Sequence, residues 1–198
     1  MLNKIVLICL ILVSSVFAQD VPVAGYAGGM LLFDYDAYWG SYGGEFYAQG
    51  KTLPESGEFP IGQTEACGGG FSTSNDTTMV VAYGAILNDD DTVDFSLLLI
   101  REQGESISSG SHPIDTETFM SLALFFDNVS DFVAPEDPNS IEEWLNAIVA
   151  DYKFVSTSGN ISVTSCDEFG FTGSFNITMI DPDSFTMISA DQASFDFY

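Results

Sequence analysis

Beyond residue 18 the chain holds only three strongly basic side chains, Lys51, Arg101 and Lys153, and a single histidine, His112. Against them stand 29 Asp and Glu residues. The shortage of cations excludes most phosphate and nucleic-acid chemistry, which depends on Lys and Arg to neutralise the backbone. Anionic membrane surfaces are excluded as partners on the same ground. One histidine cannot supply the nitrogen ligands of an ordinary zinc site. No Gly-x-Ser-x-Gly elbow, phosphate loop or dinucleotide fingerprint is present. His112 sits in a Gly-Ser-His-Pro stretch that reads as an ordinary loop histidine, so no catalytic triad is expected.

Cysteine is also scarce. Cys9 lies inside an N-terminal apolar run, which leaves Cys67 and Cys166. An even pair in an exported chain argues for a Cys67–Cys166 disulfide. It would close a loop of about 100 residues, stabilising by roughly 4 kcal/mol in the chain-entropy description.

Long apolar runs are missing as well, except at the start. Lys4 precedes the apolar stretch Ile5 to Phe17, and Val16-Phe17-Ala18 places small or modest residues before Gln19. This is the pattern of a secretory signal peptide over 1–18. The stretch is shorter than the roughly 20 residues of a spanning helix. No later segment is long and apolar enough to span a bilayer. The chain is therefore expected to be secreted, periplasmic or held at the cell surface, with 19–198 forming one β-rich domain.

What is present is negative charge on an otherwise globular composition. Removal of 1–18 would leave three cations against 29 acids, a net charge of −26. The chain also carries 17 Phe and 8 Tyr, which is unlike a disordered sequence. Self-repulsion should keep the protein soluble while destabilising the compact state. High salt, low pH or a divalent cation would relieve that repulsion.

The local pattern is that of strands. Residues 19–43 are rich in Gly and aromatics, and Met30 to Asp36 and Glu45 to Gln49 read as strands. Within this segment Trp39 and Tyr42 are candidates for a ligand-stacking platform. Thr77 to Leu87 and Val93 to Ile100 read as a hairpin joined by Asn88-Asp89-Asp90-Asp91. Thr118 to Asp127 is a further apolar strand. Phe171, Gly173, Phe175, Ile177 and Met179 alternate with Thr172, Ser174, Asn176 and Thr178, so one face is buried and one is wet. Phe185 to Ile188 and Ala193 to Tyr198 complete a meander. One helix is expected near 141–151: Ser140 and Glu143 form a capping-box pattern, and Ile141, Trp144, Leu145, Ile148 and Val149 share a helical face. The expected fold is mostly β, an antiparallel sandwich or barrel-like meander with this single helix.

The order Gly110-Ser-His-Pro-Ile114, Gly159-Asn-Ile-Ser-Val-Thr-Ser165 and Phe171-Thr-Gly-Ser-Phe-Asn-Ile177 resembles a group of exported bacterial β-sandwich domains of unknown function, common in Bacteroidetes-type organisms. The resemblance covers about 44–198. This chain departs from it in carrying His112 where an aromatic is commoner and in lacking a lipoprotein cysteine. The resemblance implies export and a β-sandwich; it implies no site.

Candidate chemistry is confined to carboxylates. Asp89, Asp90, Asp91 and Asp94 cluster around one turn and could offer hard oxygen ligands to Ca²⁺, although the glycine and closing Glu of an EF-hand loop are missing. Asp181 and Asp183 form a weaker candidate. No other cofactor is expected. Four Asn-x-Ser/Thr sequons, Asn75, Asn128, Asn160 and Asn176, are glycan candidates. The expected function is a non-enzymatic surface domain that binds a protein or glycan partner or self-associates. The alternatives are a Ca²⁺-dependent carbohydrate-binding module and, further off, a secreted hydrolase using two carboxylates.

Overall fold

The computed structural model describes residues 24–54, 58–74, 76–115, 120–130 and 149–198. Their strands are β1 (Ala24–Tyr26), β2 (Gly28–Ala37), β3 (Gly43–Lys51), β4 (Glu65–Ser74), β5 (Thr77–Leu87), β6 (Val93–Gln103), β7 (Gly110–Pro113), β8 (Ser121–Val129), β9 (Tyr152–Asp167), β10 (Gly170–Ile180) and β11 (Met187–Phe197). All pair antiparallel in one sheet, in the order β1-β4-β5-β6-β8-β9-β10-β11-β2-β3, with β7 added to β9. Most strands expected from alternation are present. Phe185 to Ile188 and Ala193 to Tyr198, however, merge into the single strand β11, with Phe185 in the connection before it. Thr118 and Phe119 lie outside the described residues. The β5–β6 hairpin pairs Leu87 with Val93 across the Asn88–Asp91 turn.

The sheet curls because its two ends are stitched by one stretch of chain. Only Ala27 separates β1 from β2. Yet β1 pairs β4 (Ala24↔Phe71), while β2 pairs β11 (Gly29↔Phe197). The β3 and β4 strands then meet: Gln49 N donates to Glu65 Oε2 at 2.9 Å, and Cys67 Sγ donates to Ala48 O at 3.2 Å. The result is a barrel-like wall with few open edges.

Inward-facing residues of this wall fill its interior. Phe33 stacks on Phe46 at 5.0 Å and meets Phe125 edge-on at 5.4 Å; Phe125 stacks on Phe154 at 6.0 Å. Lower down, Phe171 and Phe195 approach to 4.4 Å. Tilted and edge-on pairs of this kind add to the stabilisation from burial alone. A second apolar cluster lies on the outer side of β5, β6 and β8, where Phe95, Leu97, Leu99, Leu122, Leu124 and Phe126 are buried. This is why the second half of β6 is apolar on both faces.

Bulges adjust the curvature at β10, with register shifts at Thr172/Gly173 and Thr178/Met179. Gly159, on β9 opposite Ile177, has φ +112, and a Cβ there would lie 2.2 Å from Asn176 O. Only glycine fits that backbone.

Two expectations fail. Among the described residues there is no helix. Where the expected 141–151 helix enters the described residues, Val149 forms a β-bridge with Ser130 and Asp151 N donates to Asp127 O at 3.0 Å. The backbone groups that would propagate a helix are taken by β8. Residues 141–148, the signal-peptide segment 1–18 and Asn75 lie outside the described residues.

The Cys67–Cys166 bridge is also absent; both thiols are free. Cys67 is buried on β4, and Cys166 lies near the end of β9, with β5, β6 and β8 between those strands in the sheet. Next to Cys166 in the chain, Asp167 O accepts from the Tyr26 hydroxyl at 2.8 Å. No helix among the described residues is long and apolar enough to cross a membrane.

Candidate functional site

The antiparallel order brings to one end of the curled sheet the connections 38–42, 88–92 and 181–186, together with Ser130 and residues 149–151. The features of interest gather at this rim, in a polar plug inside the mouth and an aromatic edge outside it.

The plug is built around Tyr42. Its ring packs on Tyr152 at 4.5 Å, and on Tyr35 and Phe154 at 5.5 Å each. Its hydroxyl donates to Asp127 Oδ2 at 2.7 Å. Asp127 Oδ1 accepts from Asn128 Nδ2 at 2.7 Å. Asp94 Oδ1 accepts from Asn128 N at 3.0 Å and Asn88 Nδ2 at 3.1 Å. Asn128 thus bridges the two acids, its N donating to Asp94 and its Nδ2 to Asp127. Burial raises the Asp127 pKa above the ordinary carboxylate value, and the charges of Asp94 and Asp151 raise it further, against the Tyr42 hydrogen bond. The same setting raises Tyr42, first by burial and then through Asp127.

Asp127 and Tyr42 are thus partners. The sequence offered Tyr42 as an exposed platform, and the structure makes it a cork. The signal that could have identified Asp127 is an acid at an inward position of an otherwise apolar strand.

The Asp89–Asp94 group does not converge. Asp90 Oδ1 accepts from Thr92 Oγ1 at 2.7 Å and Thr92 N at 3.2 Å, which lowers its pKa and closes the turn. Asp91 adopts φ 66 in that turn, and Asp94 serves the plug. At the other candidate, Asp181 is buried and accepts from Asp183 N at 3.0 Å, Ser184 N at 3.2 Å and Ser184 Oγ. Its carboxylate organises the β10–β11 connection. Among the described residues no group of three or more His, Cys, Asp or Glu could hold a metal ion.

The sequons differ in availability. Both amide atoms of Asn128 are engaged, with Asp127 Oδ1 and Thr92 Oγ1. Asn160 is exposed and accepts from Ser111 Oγ at 3.0 Å, while Asn176 lies on the exposed face of β10. His112 is on strand β7, opposite Ile161, and its Nε2 lies 2.9 Å from Ser108 O.

The aromatic edge is the other half of the rim. Trp39 is 73% exposed and Tyr38 54%, with their rings 6.0 Å apart. Tyr38 is anchored: its N donates to Met187 O at 3.0 Å, and its hydroxyl lies 3.2 Å from Thr178 Oγ1. In the adjoining connection Phe185 is 63% exposed and adopts φ 60. A bulky side chain in the left-handed region is unusual, because Gly or Asn would occupy it at lower cost. Tyr38 and Phe185 had no distinguishing signal in sequence, since exposure of an aromatic depends on which turn carries it.

No family model, no curated protein and no solved structure matches the chain. What the structure shows is a mostly β, curled antiparallel sheet.

Proposed function

We propose that this chain is an exported, non-enzymatic β-domain that binds a partner at the cell surface through its aromatic rim. The observation that carries this reading is the exposure of Trp39 beside an anchored Tyr38, with Phe185 held outward on the next connection. Large aromatics fixed on a rigid scaffold lose little entropy on binding and dominate recognition surfaces. The apolar signal-like segment at 1–18 supports export.

The test is an array of glycans and peptides probed with the wild type and with Trp39→Ala/Phe185→Ala. At least one class should be bound by the wild type and lost in the double variant at unchanged melting temperature. Identical profiles would sink the reading.

A second reading, a Ca²⁺-dependent carbohydrate-binding module, draws on the same exposed Trp39 and on the acidic turns of the rim. It requires glycan binding that disappears with chelator. Glycan binding indifferent to chelator would remove the calcium part.

A further inference from the structure

We infer that the partner of this rim is a basic polypeptide segment, which lays a Lys or Arg head on Trp39 and others along the outer face of β11, β2 and β3. The inference rests on the aromatic-rim reading and names the chemistry of its partner.

The outer face below Trp39 carries carboxylates in register. Asp191 on β11 pairs with Asp34 on β2, and Asp34 pairs with Glu45 on β3. All three point away from the interior, because they alternate with the inward-facing Ala190, Phe33 and Phe46. Adjacent strands lie about 4.8 Å apart, so three like charges cross three strands at close spacing. Like charges directly opposite destabilise a sheet. Asp36 continues the row on β2 toward Tyr38 and Trp39.

Nothing in these elements offsets the charge. From Gly170 to Tyr198 and from Ala24 to Gly50 there is no Lys, Arg or His. Lys51 closes the far end of β3, opposite Gly28. From Asp34 to the end of β2 at Ala37 the strand rises about 3.3 Å per residue, and Trp39 stands two residues beyond, a stretch that a short extended peptide would cover. A cation over an indole face is attracted by the ring quadrupole, and a negative surround strengthens the approach. The complementary occupant is therefore cationic and extended. An anionic chain is repelled, and a second copy of this acidic chain is repelled as well.

The test uses fluorescently labelled oligoarginine and oligolysine at about 0.15 M salt, where only charges within about 8 Å act strongly. Anisotropy should show saturable binding to the wild type. Trp39→Ala, which leaves net charge unchanged, should weaken it by about 5-fold. Asp34→Asn/Glu45→Gln/Asp191→Asn should weaken it by about 10-fold or more. Asp89→Asn/Asp90→Asn/Asp91→Asn, with the same change in net charge, should weaken it less than about 2-fold.

Equal losses in the two triple variants would show diffuse attraction and overturn the inference, as would unchanged binding in Trp39→Ala. Trp39-dependent binding of neutral oligosaccharides with no Trp39-dependent binding of the peptides would overturn it while leaving the rim reading intact. Loss of Trp39 dependence for both peptides and glycans would take the rim reading with it.

Discussion

The hydroxyl of Tyr42 reaches across the mouth of the curled sheet and donates to Asp127 Oδ2 at 2.7 Å. One residue enters from the β2–β3 connection, the other from β8, and the contact ties opposite walls together. Tyr42→Phe keeps the ring packing and removes the bond. It should lower unfolding free energy by about 1–2 kcal/mol, the worth of a hydrogen bond to a carboxyl group. Urea titration of the two proteins measures it; equal midpoints would show that the bond contributes nothing.

Asp127 makes stability pH-dependent in a definite direction. Its folded pKa is raised by burial and then by Asp94 and Asp151, so the folded state holds the proton more tightly than the unfolded chain. The stabilisation is complete below the ordinary carboxylate value of about 4 and is lost as pH rises through the raised folded value. The melting temperature of the wild type should fall over that window more steeply than that of Asp127→Asn. The variant removes the titration while the other acids remain, and parallel curves would assign the slope to general repulsion alone.

The two thiols should be slow to react in the folded protein. Burial pushes Cys67 up to about 12, and burial likewise pushes Cys166 up to about 12. At pH 8 a thiol of pKa about 12 is roughly one part in ten thousand thiolate, the reactive form. Iodoacetamide should label neither quickly in native buffer and both in urea without reductant. Rapid native labelling, or no labelling in urea, would contradict free thiols of raised pKa.

Gly159→Ala should destabilise the fold by about 2 kcal/mol or more, because its backbone is left-handed and the added methyl meets Asn176 O. Gly62, with φ +83 but open space around it, isolates the backbone effect: Gly62→Ala should cost about 1 kcal/mol. Thermal melts of both variants give the comparison. A milder effect at Gly159 than at Gly62 would refute the steric account.

Much of the fold was legible because strands write a period of two into the chain. Phe171 to Met179 alternated as expected, and the Asn88–Asp91 turn fell between two paired strands. What was not legible depended on distant pairing. Ile141 to Val149 has helical spacing, yet Val149 bridges Ser130, and the tertiary partner overrides local preference there. Two cysteines suggested a bridge, but only the sheet order shows three strands between theirs. Tyr42 and Trp39 looked alike as aromatics in a Gly-rich segment. Three residues apart, one turns into the mouth and the other out to solvent.

The single residue Ala27 between β1 and β2 governs when the fold can close. Gly29 must find Phe197, and Ala24 must find Phe71, before the two ends of the sheet are joined through Ala27. Contacts so far apart in sequence slow folding, because the loop entropy is lost before the pairing rewards it. Joining the sheet therefore waits on the pairing of β11 with β2, whose partners Phe197 and Gly29 stand far apart in the chain.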